Sequence, residues 1–281
     1  MGRISRTWSL MGASWQILKK DPEMLIFPLL SAVCCLIVVA SFAIPLLDAS
    51  GMKELLPPEK GATPQQQFVY YGVIFLFYFC NYFVIVFFNS AIVSCAVIRM
   101  RGGNPAVGDG IRSAAARLHL IVGWALVSAT VGLILNIIEN RSKKVGRFVA
   151  GLLGMAWSVT SFLVVPILIV EGTGPISALK ESAVLLKKTW GEQLIGNFSF
   201  GLLFFLLSLP IVAVLALGFL AGNGAILIAC IAVVVLYVIG LALVQSALQA
   251  IFQAAVYMYA REGKVPGGFE SGMLRDAMSV R

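Results

Sequence analysis

The sequence predicts an all-α fold: a polytopic membrane bundle of six transmembrane helices joined by interfacial amphipathic helices. Composition is the first reason. Hydrophobic residues make up 59% of the chain and charged residues only 12%, where ordinary soluble domains are about a quarter charged, and the mean hydropathy is +0.93. A water-soluble fold of 281 residues could not hide that much apolar surface. Run length is the second reason: a helix needs about 20 predominantly apolar residues to cross about 30 Å of hydrocarbon, and six runs meet that standard. The third is a recurring joint, in which glycine and proline end an apolar run and a lysine-bearing amphipathic stretch follows.

Taken in order, the spans are expected near Met24 to Leu47, Phe68 to Ile98, Leu118 to Ile138, Phe148 to Val170, Leu194 to Leu220 and Ala225 to Tyr259. The stretch before Met24 is charged and amphipathic and lacks a small-residue cleavage site, so it does not read as a cleavable signal peptide. The second and sixth runs exceed the bilayer, and should tilt, bend at a glycine such as Gly240, or project into the headgroups. Pro28, Pro45, Pro166 and Pro210 predict kinks.

The net charge is +8, and most basic residues sit in short loops between apolar runs. That pattern points to orientation in an anionic membrane and away from nucleic acid. With the N-terminus inside, the inner segments carry Arg3, Arg6, Lys19, Lys20, Arg99, Arg101, Arg112, Arg117, Lys180, Lys187, Lys188, Arg261, Lys264, Arg275 and Arg281. The outer ones carry Lys53, Lys60, Arg141, Lys143, Lys144 and Arg147. Both termini are therefore expected in the cytoplasm, with the basic loop "ENRSKKVGR" (Glu139 to Arg147) as the one segment on the wrong side of the rule. The five cysteines lie inside apolar runs without paired spacing, which suits free thiols.

The chain also repeats itself. "SAVLLKKTWGEQL" (Ser182 to Leu194) aligns with "SWQILKKDPEML" (Ser14 to Leu25), and the register pairs Ile176, Leu179, Ala183 and Leu186 with Trp8, Met11, Trp15 and Leu18, each set an apolar stripe on one helical face. A fainter copy carries Val107, Ile111, Ala114 and Leu118. Glycine-then-proline precedes Pro105, Pro175 and Pro266, an order that suits a C-terminal cap followed by a new first turn. The single membrane domain 1–281 is thus expected to hold three units of one amphipathic helix plus two spans, at about 1–100, 101–172 and 173–262, with a short cytoplasmic tail, 263–281. In the helix after Pro175, Lys187 and Lys188 would snorkel toward lipid phosphate, and Trp190 would sit at headgroup depth and with Gly191 end the helix.

Chemistry-bearing residues are sparse. No charge falls in the middle of a span, which weighs against a coupled pump. His119 is the sole histidine, and no metal or nucleotide motif stands near it, so no cofactor, metal or catalytic residue is expected. The acidic residues at the inner boundary are Asp109, Glu171 and Glu192; they could form a polar site at the base of the bundle or cap helices there. On the sixth span, Ala242, Ser246, Ala250 and Ala254 form a small-residue stripe beside Gln245, Gln249 and Gln253, whose amides could meet Asn81 and Asn89 of the second span as helix glue or as a polar path.

The stretches "WSVTSFLVVPILIVEGTGPISALKESAVLLKKTWGEQLIGNFSFG" (Trp157 to Gly201) and "RTWSLMGASWQILKKDPEMLIFPLLS" resemble a family of uncharacterised six-span prokaryotic integral membrane proteins, a domain of unknown function. More distantly, the helix-then-span repeat is similar to membrane domains attached to glycerophosphodiester phosphodiesterases. The resemblance implies a prokaryotic cytoplasmic membrane and an architecture, and carries over no catalytic residue. The expected function is non-enzymatic, through contacts with anionic lipid headgroups or a membrane-protein partner at the cytoplasmic face. The alternatives are a passive transporter or lipid-handling protein with a polar path between spans two and six, and a headgroup-directed enzyme using Glu171 or Glu192.

Overall fold

A computed structural model describes residues 3–44, 63–141 and 145–262, with side chains described at 12–44, 63–140, 145–185, 201 and 203–261. Among the described residues the chain is all-α, and six of its helical segments are long and apolar enough to cross a membrane. This is a multi-pass membrane protein, as the composition predicts. The helices are α1 (Arg3–Lys20), a 3-10 turn (Pro22–Leu25), α2 (Ile26–Ala43), α3 (Pro64–Met100), α4 (Val107–Ala116), α5 (Leu118–Arg141), α6 (Val145–Thr160), α7 (Val164–Glu171), α8 (Pro175–Leu220) and α9 (Gly224–Glu262).

The joints differ from one another for local reasons. After α1 the chain breaks at Asp21, whose φ of −130° and ψ of 71° are non-helical. Proline follows, and it disfavours the helical region for the residue before it. At the corresponding place after Lys188 there is no proline, and α8 continues without a break, a helix of 46 residues in all from Pro175 to Leu220. The expectation that Trp190 and Gly191 end a helix is therefore corrected: amphipathic segment and fifth span form one continuous rod. That helix also passes through Pro210, α9 passes unbroken through Gly240, and Pro28 lies in the first turn of α2, where no intrahelical N–H bond is lost. Pro45 lies outside the described residues.

The fourth span is where proline breaks a helix. Pro166 has no N–H to offer and its ring crowds the carbonyl four residues back, that of Phe162. The chain accordingly leaves the helix between Thr160 and Val164 and resumes as α7, with Val164 through Ile169 all buried. The break would strand the Thr160 carbonyl and the Leu163 N–H. Ser182 of α8 takes both: its hydroxyl donates to Thr160 O at 2.6 Å and accepts from Leu163 N at 3.2 Å. Ser182 is fully buried.

The contacts fall into two compact units. The first comprises the chain up to Pro28, Ala96–Pro105 and the chain from Leu185 onward. In it α1 packs on α9. The face that α1 buries holds Ala13, Ser14, Ile17 and Leu18, and the buried stretch of α9 includes Ala247, Ala250, Ile251, Ala254 and Ala255. Of the expected alanine-serine stripe, Ala250 and Ala254 are buried while Ala242 and Ser246 are exposed.

The second unit comprises Leu29–Cys95 and Ala106–Val184. Here α5 and α6 form an antiparallel hairpin, and Trp124 and Trp157 stack at 5.4 Å. At Gly146 an added Cβ would come to 2.4 Å from the Ile138 carbonyl oxygen, so only glycine admits that close approach. The start of α8 packs against α5, where a Cβ at Gly123 would come to 2.9 Å from Pro175 Cγ. Ser94 of α3 donates to Ser113 of α4 at 2.8 Å. None of the five cysteines forms a disulfide; Cys95 is buried, its thiol donating to the Ala106 carbonyl at 3.7 Å, and the others are half-buried.

Replacing Ser182 with alanine leaves both orphaned backbone groups buried, at a cost of about 1–3 kcal/mol. Thermal unfolding of the detergent-solubilised chain should show a clear loss of stability for Ser182→Ala and none for Ser246→Ala, whose side chain is exposed. Equal midpoints for the two variants would contradict the role given to Ser182.

Candidate functional site

In the first unit an apolar groove of about 660 Å³ opens among α1, α8 and α9. Gly12 and Trp15 of α1 form one wall, Leu203, Phe204 and Leu207 of α8 a second, and Leu236, Tyr237, Gly240, Leu241, Val244 and Leu248 of α9 the third. The volume falls in the range of pockets that hold drug-sized ligands. Its phenol is already engaged, because Tyr237 donates to the Leu207 carbonyl at 2.7 Å. That bond ties α9 to α8 and removes a polar atom from the wall. Gly240 leaves the floor open, with nothing within 4 Å of where a Cβ would stand.

The α1 wall exists because that helix buries Ala13, Ser14, Ile17 and Leu18 and leaves Trp15 outward. Trp15, a member of the apolar stripe Trp8, Met11, Trp15 and Leu18, is 39% exposed and turned to the groove side. Of these, Leu18 is buried, and the side chains of Trp8 and Met11 lie outside the described residues. Lys19, one turn on, places its ammonium 5.6 Å from the centre of the Trp15 ring, within cation–π range. Lys19 and Lys20 are both exposed. The groove thus has an apolar body, with one cation, Lys19, beside the tryptophan of its wall.

The same end of α1 is held by an ion pair that sequence patterns did not single out. Asp21 accepts two hydrogen bonds from Arg99, through Nε and Nη2, and the same Nη2 donates to Asn104 Oδ1. The Asp21 side chain is 9% exposed and that of Arg99 21%. A two-pronged guanidinium–carboxylate contact fixes orientation as well as distance, so it sets α1 and its following turn against the end of α3. The available signal was Asp21 itself, an acidic residue just before proline at a span entrance; its partner, 78 positions away, is invisible to periodicity.

The residues singled out in the sequence fall on several helices of both units. Glu171 ends α7, half-buried, before Gly172, which adopts φ +70° as a left-handed C-cap. Arg117 lies over that glycine, so that a Cβ there would come to 2.8 Å from its Nη1; a guanidinium at a helix C-terminus offsets the negative end of the dipole. Asp109 accepts the Ala106 N–H at 2.9 Å and so caps α4. The backbone at Lys187, Lys188, Trp190 and Glu192 belongs to α8, and their side chains lie outside the described residues. Gln245, Gln249 and Gln253 lie on α9 in the first unit, and Asn81 and Asn89 on α3 in the second. Asn81 donates within its own helix, to the Phe77 carbonyl at 2.9 Å. Among the described residues, no three His, Cys, Asp or Glu side chains gather as a metal site requires.

In comparison with known families, the model of a family of unknown function, DUF6159, matches residues 68–268. The match takes in spans two through six, and the chain belongs to that family. A search of curated proteins finds no match.

Asp21→Asn should cost about 2 kcal/mol or more, because it leaves the Arg99 guanidinium partly buried against a neutral amide. The double variant Asp21→Asn/Arg99→Gln should recover part of that loss. Thermal midpoints of the three proteins check the coupling; additive losses would show that the two side chains do not act as a pair.

Proposed function

We propose that this member of the family is a non-enzymatic multi-pass protein of the cytoplasmic membrane of a prokaryote that works by holding lipid at the cytoplasmic face. The groove among α1, α8 and α9 carries the reading. An apolar slot whose wall tryptophan carries Lys19 over its ring matches a phospholipid in two parts, acyl chain against leucine and glycine, phosphate against Lys19. The distribution of basic residues supports the orientation, with both termini cytoplasmic and anionic headgroups as the natural partners of that face. Support for the non-enzymatic character comes from the wall itself, whose tyrosine is committed to a backbone carbonyl.

The sequence repeat fits the same picture. Ser14 and Ile17 of α1 and Ser182 and Leu185 of α8 occupy matching positions of the two copies, and all four are buried. The amphipathic helices would then serve as struts that shape lipid-filled space between spans.

A second reading, passive passage of a polar solute along the glutamines of α9, has one specific observation in its favour. The side-chain oxygen of Gln253 is buried and has no hydrogen-bond partner among the described residues. An unpaired buried amide oxygen is costly, and a passing polar solute or water would satisfy it.

Cross-linking with a phospholipid that carries a photoactivatable acyl chain tests the first reading. Labelling is expected on the Leu203–Leu207 segment, reduced several-fold by Gly240→Trp and unchanged by Leu36→Trp, which places the same bulk on the exposed face of α2. If Gly240→Trp labels as strongly as the parent, the groove does not hold the chain.

A further inference from the structure

The second unit holds a smaller pocket of different chemistry, about 370 Å³ in volume, among α3, α5 and α6 at the end where α5 passes to α6. Two glycines hollow it. Nothing lies within 4 Å of a Cβ at Gly151, while one at Gly132 would come to 3.3 Å from the Tyr82 ring and 3.5 Å from its hydroxyl oxygen. The rings of Tyr78 and Tyr82 stand on the α3 side with centroids 6.3 Å apart. On the α5 side the Asn136 amide approaches the Tyr78 hydroxyl at 3.5 Å and accepts from Asn140 at 3.1 Å. At the mouth Arg147 Nε lies 3.4 Å from Glu139 Oε1, the two side chains 76% and 50% exposed.

These features are odd for a span end that only packs. An ion pair this exposed stabilises little, so both charges are free to exchange partners without a large loss. A carboxylate and a guanidinium side by side repel any simple ion with one of their two halves. They suit a ligand that carries both signs at short spacing. The tyrosine faces behind them suit a cation, and Arg147 stands in the first turn of α6, where the helix dipole favours an anion.

We propose that this pocket binds an amino-phosphate zwitterion, its ammonium set against Glu139 and the faces of Tyr78 and Tyr82, its phosphate on Arg147. The ligand class is that of phosphoethanolamine, either as a phospholipid headgroup or as a free solute. The site is separate from the groove among α1, α8 and α9, and its success or failure leaves that reading untouched.

The test uses the full chain in nanodiscs of phosphatidylglycerol alone, with thermal unfolding followed as phosphoethanolamine, ethanolamine or inorganic phosphate is added. A second set of nanodiscs contains phosphatidylethanolamine. The midpoint should rise with phosphoethanolamine or with phosphatidylethanolamine, and not with ethanolamine or phosphate at the same concentration. A response to the free compound identifies a soluble ligand; a response only to the lipid identifies the headgroup. Glu139→Gln and Gly151→Leu should each weaken the response at least ten-fold. Glu139→Gln alters an exposed side chain and is expected to fold, which keeps the test open if Gly151→Leu does not. No shift from either source, an equal shift from phosphate alone, or an undiminished shift in Glu139→Gln would each overturn the proposal.

Discussion

In hydrocarbon, a backbone N–H or C=O that leaves its helix has no water to turn to. Pro166 forces that situation on the fourth span, and the structure answers it with a single hydroxyl, that of Ser182, which serves the last carbonyl before the break and the N–H beyond it. Much of the second unit follows from this pair of bonds. They let α7 stand as a short helix buried from Val164 to Ile169, and they hold the first turns of α8, the helix that carries Gly-Pro at its head and the fifth span at its tail. Broken helices in membranes frequently expose helix ends for ligands; here the exposed groups are closed by the protein's own side chain.

A related economy governs the charges. Those with a described role sit at the ends of spans and are used to hold ends together: Asp21 and Arg99 at the first joint, Asp109 at the start of α4, and Arg117 over the cap that follows Glu171. Each lies where a helix begins or stops, and there a charge finds either unsatisfied backbone groups or an opposite charge. The Glu139–Arg147 pair differs in being largely exposed, and that difference is what makes it available to something outside the chain.

The buried faces of the amphipathic helices show what sequence patterns leave open. The apolar stripe of α1 was drawn through its largest residues, yet the helix buries Ala13 and Ser14 and turns Trp15 outward. In the helix after Pro175 the stripe ran through Ile176, Leu179, Ala183 and Leu186, whereas Ala178, Ser182 and Leu185 are the buried positions and Ile176 is 53% exposed. The physical reason is the same in both. Next to a bilayer there is no penalty for a large apolar side chain facing outward, so size ceases to mark the interior, and close backbone approach selects small residues instead. Periodicity found the helices and left open which of their sides is buried.

What the sequence determined by itself is the class and the count: six apolar runs, their order, and the family that those stretches resemble. These depend on the cost of placing polar backbone in lipid, a property of each segment alone. The tertiary structure decided what no segment carries in itself. Asp21 found its partner 78 residues away, Ser182 closed a break 19 to 22 positions before it, and one joint became a continuous helix while another stayed a turn. The two pockets belong to the same category, since each is space shared by three helices and lined by residues that are ordinary in any one of them. Pairing over long separation depends on which helices become neighbours, and the periodicity of one helix holds no record of that choice.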